Sequence, residues 1–158
     1  KQINDTFSEV VFEGFIENLD PAKRYFLQSD IDEFSKFKTE IDDQILKQEI
    51  AFFNLVYNRF LIRVNEAKTY YKEILKTPYD FTIDEILDIN YENAEFAKSK
   101  EEIYNVWKSQ LKFSTLSRLY NKLNSDSSNL SKFEKEFRTN INKNDFQTRS
   151  AWASSPSL

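Results

Sequence analysis

Cysteine and histidine are both missing from these 158 residues. Without Cys there is neither a disulfide framework nor a thiol nucleophile, and without His the commonest general base and metal ligand is gone. Glycine occurs once and proline three times, so helix breakers are scarce and a helical fold is favoured over a strand-rich sandwich. No apolar run approaches the roughly 18 residues needed to cross a bilayer, so no transmembrane segment is expected. The first residue is Lys1 rather than Met, which reads as a processed or excised piece whose export signal is already gone.

What is present is aromatic and charged. Fifteen Phe and eight Tyr supply a single well-packed core, and the length suits one domain. The net charge is -4 and uneven. From Lys132 to Arg149 there are five basic and three acidic residues, leaving 17 basic against 23 acidic elsewhere. An acidic body with a mildly basic tail argues against a nucleic-acid partner. Interleaved signs on helices read as solvated faces.

Periodicity predicts an all-α fold, an irregular domain of about five main helices with a long central one. The first helix is expected from Asp5 to about Asn18, with Phe7, Val10, Val11, Phe12, Phe15, Ile16 and Leu19 apolar. Asp20-Pro21 then suits a capped new turn, and Tyr25, Phe26 and Leu27 form an apolar plug. Leu19 and these three residues are expected to be largely buried. Ser29-Asp30 starts a second helix with Glu33 placed for a capping box, and its stripe Ile31, Phe34, Phe37, Ile41, Ile45 runs to Leu46. The third helix, about Glu49 to Lys76, keeps Phe52, Phe53, Val56, Phe60, Val64, Ala67, Tyr71 and Ile74 in phase until Pro78 forbids continuation. From Thr77 to Lys98 no period fits. A long connection is expected, packed by its own side chains, with a short helix near Asp84 to Leu87. Ser99 and Glu102 cap a fourth helix, about Lys100 to Leu123, carrying Ile103, Val106, Trp107, Leu111, Leu116, Leu119, Tyr120 and Leu123. After the polar run Asn124 to Asn129, Leu130, Phe133, Phe137 and Ile141 mark a fifth helix over about Ser131 to Asn142. Residues 1–145 are thus expected to form one helical domain and 146–158 a frayed tail or truncation end.

Candidate chemistry is thin. Without His or Cys, the surviving nucleophile arrangement is a Ser with a Lys base. Ser99-Lys100 reads as a helix start and Ser127-Ser128 as a linker. Asp30-Ile31-Asp32-Glu33 opens like a calcium loop but has no Gly at the sixth position and no Glu at the twelfth. Asp42-Asp43 and Asp84-Glu85-Asp88 read as solvated or helical acids. Trp107, between Ile103 and Leu111 at helical spacing, reads as core rather than as a ligand platform. No catalytic residue, metal ligand or cofactor site is expected.

The corner itself carries a family resemblance. Leu19-Asp20-Pro21, Tyr25-Phe26-Leu27, Ser29-Asp30-Ile31 and Glu33-Phe34 resemble the opening helical domain of the tail-specific (C-terminal processing, Prc-like) proteases. The match runs from Val11 to Phe34. Asn58-Arg59-Phe60, Tyr79-Asp80-Phe81-Thr82 and Val106-Trp107-Lys108 follow in the family's order, within about the first 140 residues. The resemblance implies a periplasmic bacterial serine peptidase whose Ser–Lys dyad lies in a domain this stretch does not include. It implies partners as well: the PDZ and peptidase domains of a parent chain, a lipoprotein adaptor and unfolded polypeptide substrates. Through such an adaptor it implies a peripheral place at the inner face of the outer membrane. Past Asp145-Phe146-Gln147, where the family runs on toward its PDZ domain, this chain turns into Thr148-Arg149-Ser150-Ala151-Trp152. The alternative is a free-standing helical adaptor or scaffold that binds a partner through an apolar groove.

Overall fold

The structure, a computed structural model, describes residues 3–89, 91 and 94–125. Five α-helices occur among them: α1 Asp5–Leu19, α2 Gln28–Phe34, α3 Ile41–Leu46, α4 Ala51–Ile74 and α5 Lys100–Ser125. A 3₁₀ turn, Ser35–Phe37, follows α2. The described residues contain no strand, only an isolated parallel bridge between Leu27 and Ala97. The fold is all-α, as periodicity predicts. The fifth predicted helix, the tail and the boundary at residue 145 lie outside the described residues.

The chain divides into two compact units, Lys1–Ala67 with Asp88–Val106, and Lys68–Leu87 with Trp107–Leu158. The first is built on aromatic packing. Phe12 and Phe15 of α1 meet Phe52 of α4 with ring centroids 5.4 and 5.8 Å apart. Phe26 stands edge-on to Phe34 at 5.4 Å and reaches Phe60 at 5.8 Å, while Tyr25 stacks edge-on to Phe60 at 5.2 Å. Edge and tilted arrangements suit the ring quadrupole, and each such pair adds about 0.5–1.5 kcal/mol beyond area burial. In the second unit Tyr71, Ile74, Trp107, Leu111, Thr115 and Leu119 are buried. The α4 face is the one the apolar period marks: Phe52, Val56, Phe60, Val64, Ala67, Tyr71 and Ile74 are all buried.

Several expectations are corrected. The predicted helix from Ile31 to Leu46 is broken into α2, the 3₁₀ turn and α3. A continuous helix would have buried Ile45, which is instead 38% exposed, while Asp42 and Gln44 are buried. The break lets α3 serve as a cap carrier. Ser8 Oγ accepts the Asp42 N–H at 2.8 Å and donates to its carboxylate at 2.6 Å, and Gln44 Oε1 accepts the Phe52 N–H at 3.0 Å in the first turn of α4. Helix ends leave such N–H groups without intrahelical partners, and here another helix supplies them.

The corner agrees in part. The turn expected at Pro21 is there, capped by the Asp20 carboxylate, with Lys23 in the left-handed region at φ 46°. α2 begins at Gln28 rather than at Ser29-Asp30, because Asp30 reaches back to accept the Leu27 N–H at 2.9 Å. Glu33 takes no part in that cap. Tyr25, Phe26 and Leu27 are buried, whereas Leu19 is only half-buried.

The short helix near Asp84 to Leu87 is absent. Asp80 Oδ1 accepts both the Thr82 N–H at 2.9 Å and its hydroxyl at 2.6 Å, which holds the chain in a turn. Self-packing covers the described part of the connection only in part: the Tyr79 and Phe81 rings lie 5.9 Å apart, but Ile83 and Ile89 are exposed and Ile86 is 100% exposed. On the helices, the apolar Val10, Leu116 and Tyr120 are exposed.

Two substitutions test this packing. Phe26→Ala removes a ring with no exposed surface and should cost about 3–5 kcal/mol in denaturant melts. A loss below about 1 kcal/mol would show that the ring is not part of the core. Gly14→Ala should act oppositely. Gly14 lies inside α1 without a positive φ, and an added Cβ would meet nothing within 4 Å. The urea midpoint should rise by the equivalent of about 0.5–1 kcal/mol, the backbone entropy that Gly costs in a helix.

Candidate functional site

The densest charge arrangement among the described residues lies in the first unit, at Asp30. Its side chain has no exposed surface. Besides the Leu27 N–H it accepts Arg63 Nε at 2.7 Å and Arg63 Nη2 at 2.8 Å, a bidentate pair, and Arg59 Nη1. Arg59 Nη2 reaches Glu33 at 2.7 Å, Arg63 Nη1 reaches Glu66 at 2.7 Å, and Lys100 Nζ reaches Glu66 at 2.7 Å. The corner, α4 and the start of α5 are joined by this alternation of charge.

Burial pushes the Asp30 carboxyl up, but Arg63, the Leu27 N–H and Arg59 together hold it below the ordinary carboxylate range. Asp30 in turn holds the Arg63 guanidinium above its usual value. Glu66 is likewise depressed: burial raises it, and Lys100 and Arg63 lower it further than that. The second buried acid of the corner, Asp20, goes the other way. Burial pushes it up, although its carboxylate accepts the Arg24, Tyr25 and Phe26 N–H groups, each at 2.9 Å.

A groove of about 860 Å³ opens in the same unit. Phe12, Ile16, Pro21, Ile31 and Phe96 give it an apolar floor, and Glu13, Glu17 and Lys23 line it with charge. Lys23 Nζ donates to the Ala94 carbonyl and lies 5.3 Å from the centre of the Phe96 ring. Glu13 is paired with Lys38 at 2.9 Å. An apolar floor with a charged rim suits the side chains of a bound segment better than a reacting group.

The residues weighed in the sequence are placed as follows. Ser99 Oγ accepts the Glu102 N–H at 3.1 Å as a helix cap, while Lys100 points to Glu66, so the two do not converge as a dyad. Ser127-Ser128 lies outside the described residues. Asp30, Asp32 and Glu33 do not converge either: Asp30 and Glu33 turn to the arginines, and Asp32 takes the Gln28 amide at 2.9 Å. Asp42 is a buried partner of Ser8, and Glu85 of the Asp84-Glu85-Asp88 run pairs with Lys112 at 2.8 Å. Trp107 is buried, as its spacing predicts.

Arg63 is the residue that sequence reasoning missed. Its signal was a second Arg one turn after Arg59, set between Phe60 and Val64 of the buried face, where a cation needs an acid.

A family model described as "Tail specific protease N-terminal domain" matches residues 1–155. The chain is also 30% identical over 112 residues to the tail-specific protease of Haemophilus influenzae. That alignment covers 70% of this chain and 16% of the relative, so the chain spans a small part of the protein it resembles.

Asp30→Asn tests the charge arrangement. Removing the carboxylate leaves two arginines without their shared partner and should cost about 3–5 kcal/mol at neutral pH. Because the folded carboxyl titrates below its unfolded value, its contribution is complete above the ordinary carboxylate range and is lost as pH falls through the depressed value. The stability gap between wild type and Asn variant should therefore begin to narrow below about pH 4. Denaturant melts across that range check it, and a gap that stays constant would show that the Asp30 charge is not the stabilising element.

Proposed function

The chain belongs to the tail-specific protease N-terminal domain family, and on that premise we propose that it serves a carboxy-terminal processing serine protease as a non-catalytic helical module. Its role in this reading is geometric. It shapes the enclosure in which a polypeptide is held and docks to the PDZ and peptidase domains of a parent chain or to a lipoprotein adaptor. The setting is the periplasm, with a peripheral place at the outer membrane supplied by a partner. Among the described residues no helix is long and apolar enough to cross a membrane.

The observation that supports this reading most directly is where the polar side chains of the corner go. Asp20 and Asp30, both part of the family-like motif, spend their oxygens on backbone N–H groups and on arginines, and Ser8 and Ser99 cap helices. Peptide hydrolysis needs a nucleophile, a base and oxyanion donors within hydrogen-bond reach of one another. The motif organises a fold, and the open groove beside it offers contact.

Incubating the purified 158-residue chain with an unfolded substrate that ends in apolar residues, followed by a mass-spectrometric search for products, tests the non-catalytic part. No cleavage is expected. Reproducible cleavage that disappears when one Ser or Lys is replaced would overturn it.

A further inference from the structure

The groove of the first unit has an apolar floor that is only partly covered and an edge of one sign. Phe12 and Ile16 are buried in that floor, Ile31 and Phe96 are half-buried, and Ile89 is 61% exposed. Two polar groups that reach the groove are already engaged. Asp20 spends both carboxylate oxygens on three backbone N–H groups, and Lys23 Nζ donates to the Ala94 carbonyl. What the floor offers a ligand is therefore chiefly apolar area, whereas a small polar ligand is held by convergent polar groups. The sign is set by α1. It carries Asp5, Glu9, Glu13 and Glu17 at every fourth residue, all four exposed, and residues 2–22 contain no Lys or Arg. Like charges at that spacing repel one another along a helix. Lys38 answers Glu13 at 2.9 Å, but Glu17, which lines the groove, makes no ion pair among the described residues. With Lys23 tied to Ala94 and held 5.3 Å from the centre of the Phe96 ring, the α1 edge of the groove is left acidic.

We propose that the groove binds a cationic amphipathic polypeptide segment, with apolar side chains on the floor of Ile31, Ile89 and Phe96 and a Lys or Arg against Glu17. Complementarity of charge selects this occupant. A second copy of the chain carries the same net charge of -4 and the same acidic helix, so it is repelled. Nucleic acid and an anionic lipid surface are repelled by the same edge. An acidic peptide would satisfy the floor but set a like charge against Glu17. The apolar contribution grows with the area removed from water, whereas an ion pair at an exposed rim is weak and screened by salt. Affinity therefore comes mainly from the floor, and Glu17 chooses between partners of opposite sign. This inference deepens the reading of the chain as a non-catalytic module that offers contact, and rests on it.

Fluorescence polarisation at low salt, with a short labelled peptide of alternating Leu and Lys, tests this on the 158-residue chain. Saturable binding is expected. Exchanging the peptide's Lys for Glu, or its Leu for Ser, should weaken binding at least about tenfold. Glu17→Lys should weaken the Lys peptide about three- to tenfold and strengthen the Glu peptide by a similar factor, a difference that fades at high salt. That variant sets a Lys four residues after Glu13, a spacing that favours the helix, so lost folding does not account for the change. Ile89→Ser, at an exposed position, should weaken the Lys peptide about tenfold at any salt. Glu73→Lys alters the net charge equally at an exposed site outside the groove lining and should leave affinity within about twofold. A Lys peptide that does not bind, equal binding of the Lys and Glu peptides, or equal losses in Glu17→Lys and Glu73→Lys would overturn the proposal. So would a dimer of the chain that dissociates as peptide is added, which would assign the groove to a second copy. Mass spectrometry of the recovered peptide keeps the two readings apart. An intact peptide that fails to bind overturns this proposal alone, whereas a cut one overturns the non-catalytic reading beneath it.

Discussion

The first unit depends on one buried negative charge. An isolated carboxylate with no exposed surface would cost several kcal/mol, so Asp30 is tenable only because two arginines and a backbone N–H converge on it. That requirement sets the phase of α4, which must bring Arg59 and Arg63 to the corner while it turns Phe60 and Val64 inward. It also sets the start of α2, since the Leu27 N–H is claimed by the same carboxylate. A hydrophobic contact tolerates small shifts; a bidentate pair at 2.7 and 2.8 Å does not. The charge therefore fixes the register that the apolar rings alone would leave loose.

Helix termini are satisfied in the same reciprocal way. Ser8 on α1 caps α3, Gln44 on α3 caps α4, and Asp20 gathers three N–H groups of the corner. These polar residues are buried because their partners are backbone groups that would otherwise lack acceptors. Their cost is local: the chain gives up a continuous second helix so that Asp42 and Gln44 point where caps are needed. In a domain with one Gly and three Pro, helices are stopped by competition for hydrogen bonds as much as by breakers.

A module of this construction is suited to holding shape. Among the described residues Ser8, Asp20, Asp30 and Asp42 are engaged inside the fold, and two features face outward: a groove with a charged rim in one unit and an apolar strip on α5 in the other. The two differ in character. The groove joins an apolar floor to a charged rim, whereas the strip of Phe113, Leu116 and Tyr120 is apolar along its length.

Much was legible in the residues themselves. Few breakers and a sustained 3.6-residue period determine a helical fold, and the buried face of α4 from Phe52 to Ile74 follows from that period because it is a property of neighbours along the chain. The aromatic plug Tyr25, Phe26, Leu27 and the core position of Trp107 were readable for the same reason. Tertiary structure decided the rest. Asp30 finds Arg59 and Arg63 at separations of 29 and 33 residues, and Ser8 finds Asp42 across 34, distances at which no periodic pattern carries information. The break between α2 and α3 follows from those partners. The absence of a helix at Asp84 to Leu87 was likewise decided by the fold, since Ile83 and Ile86 there are left exposed. Period tells which residues share a face; only the assembled fold determines whether anything lies against it.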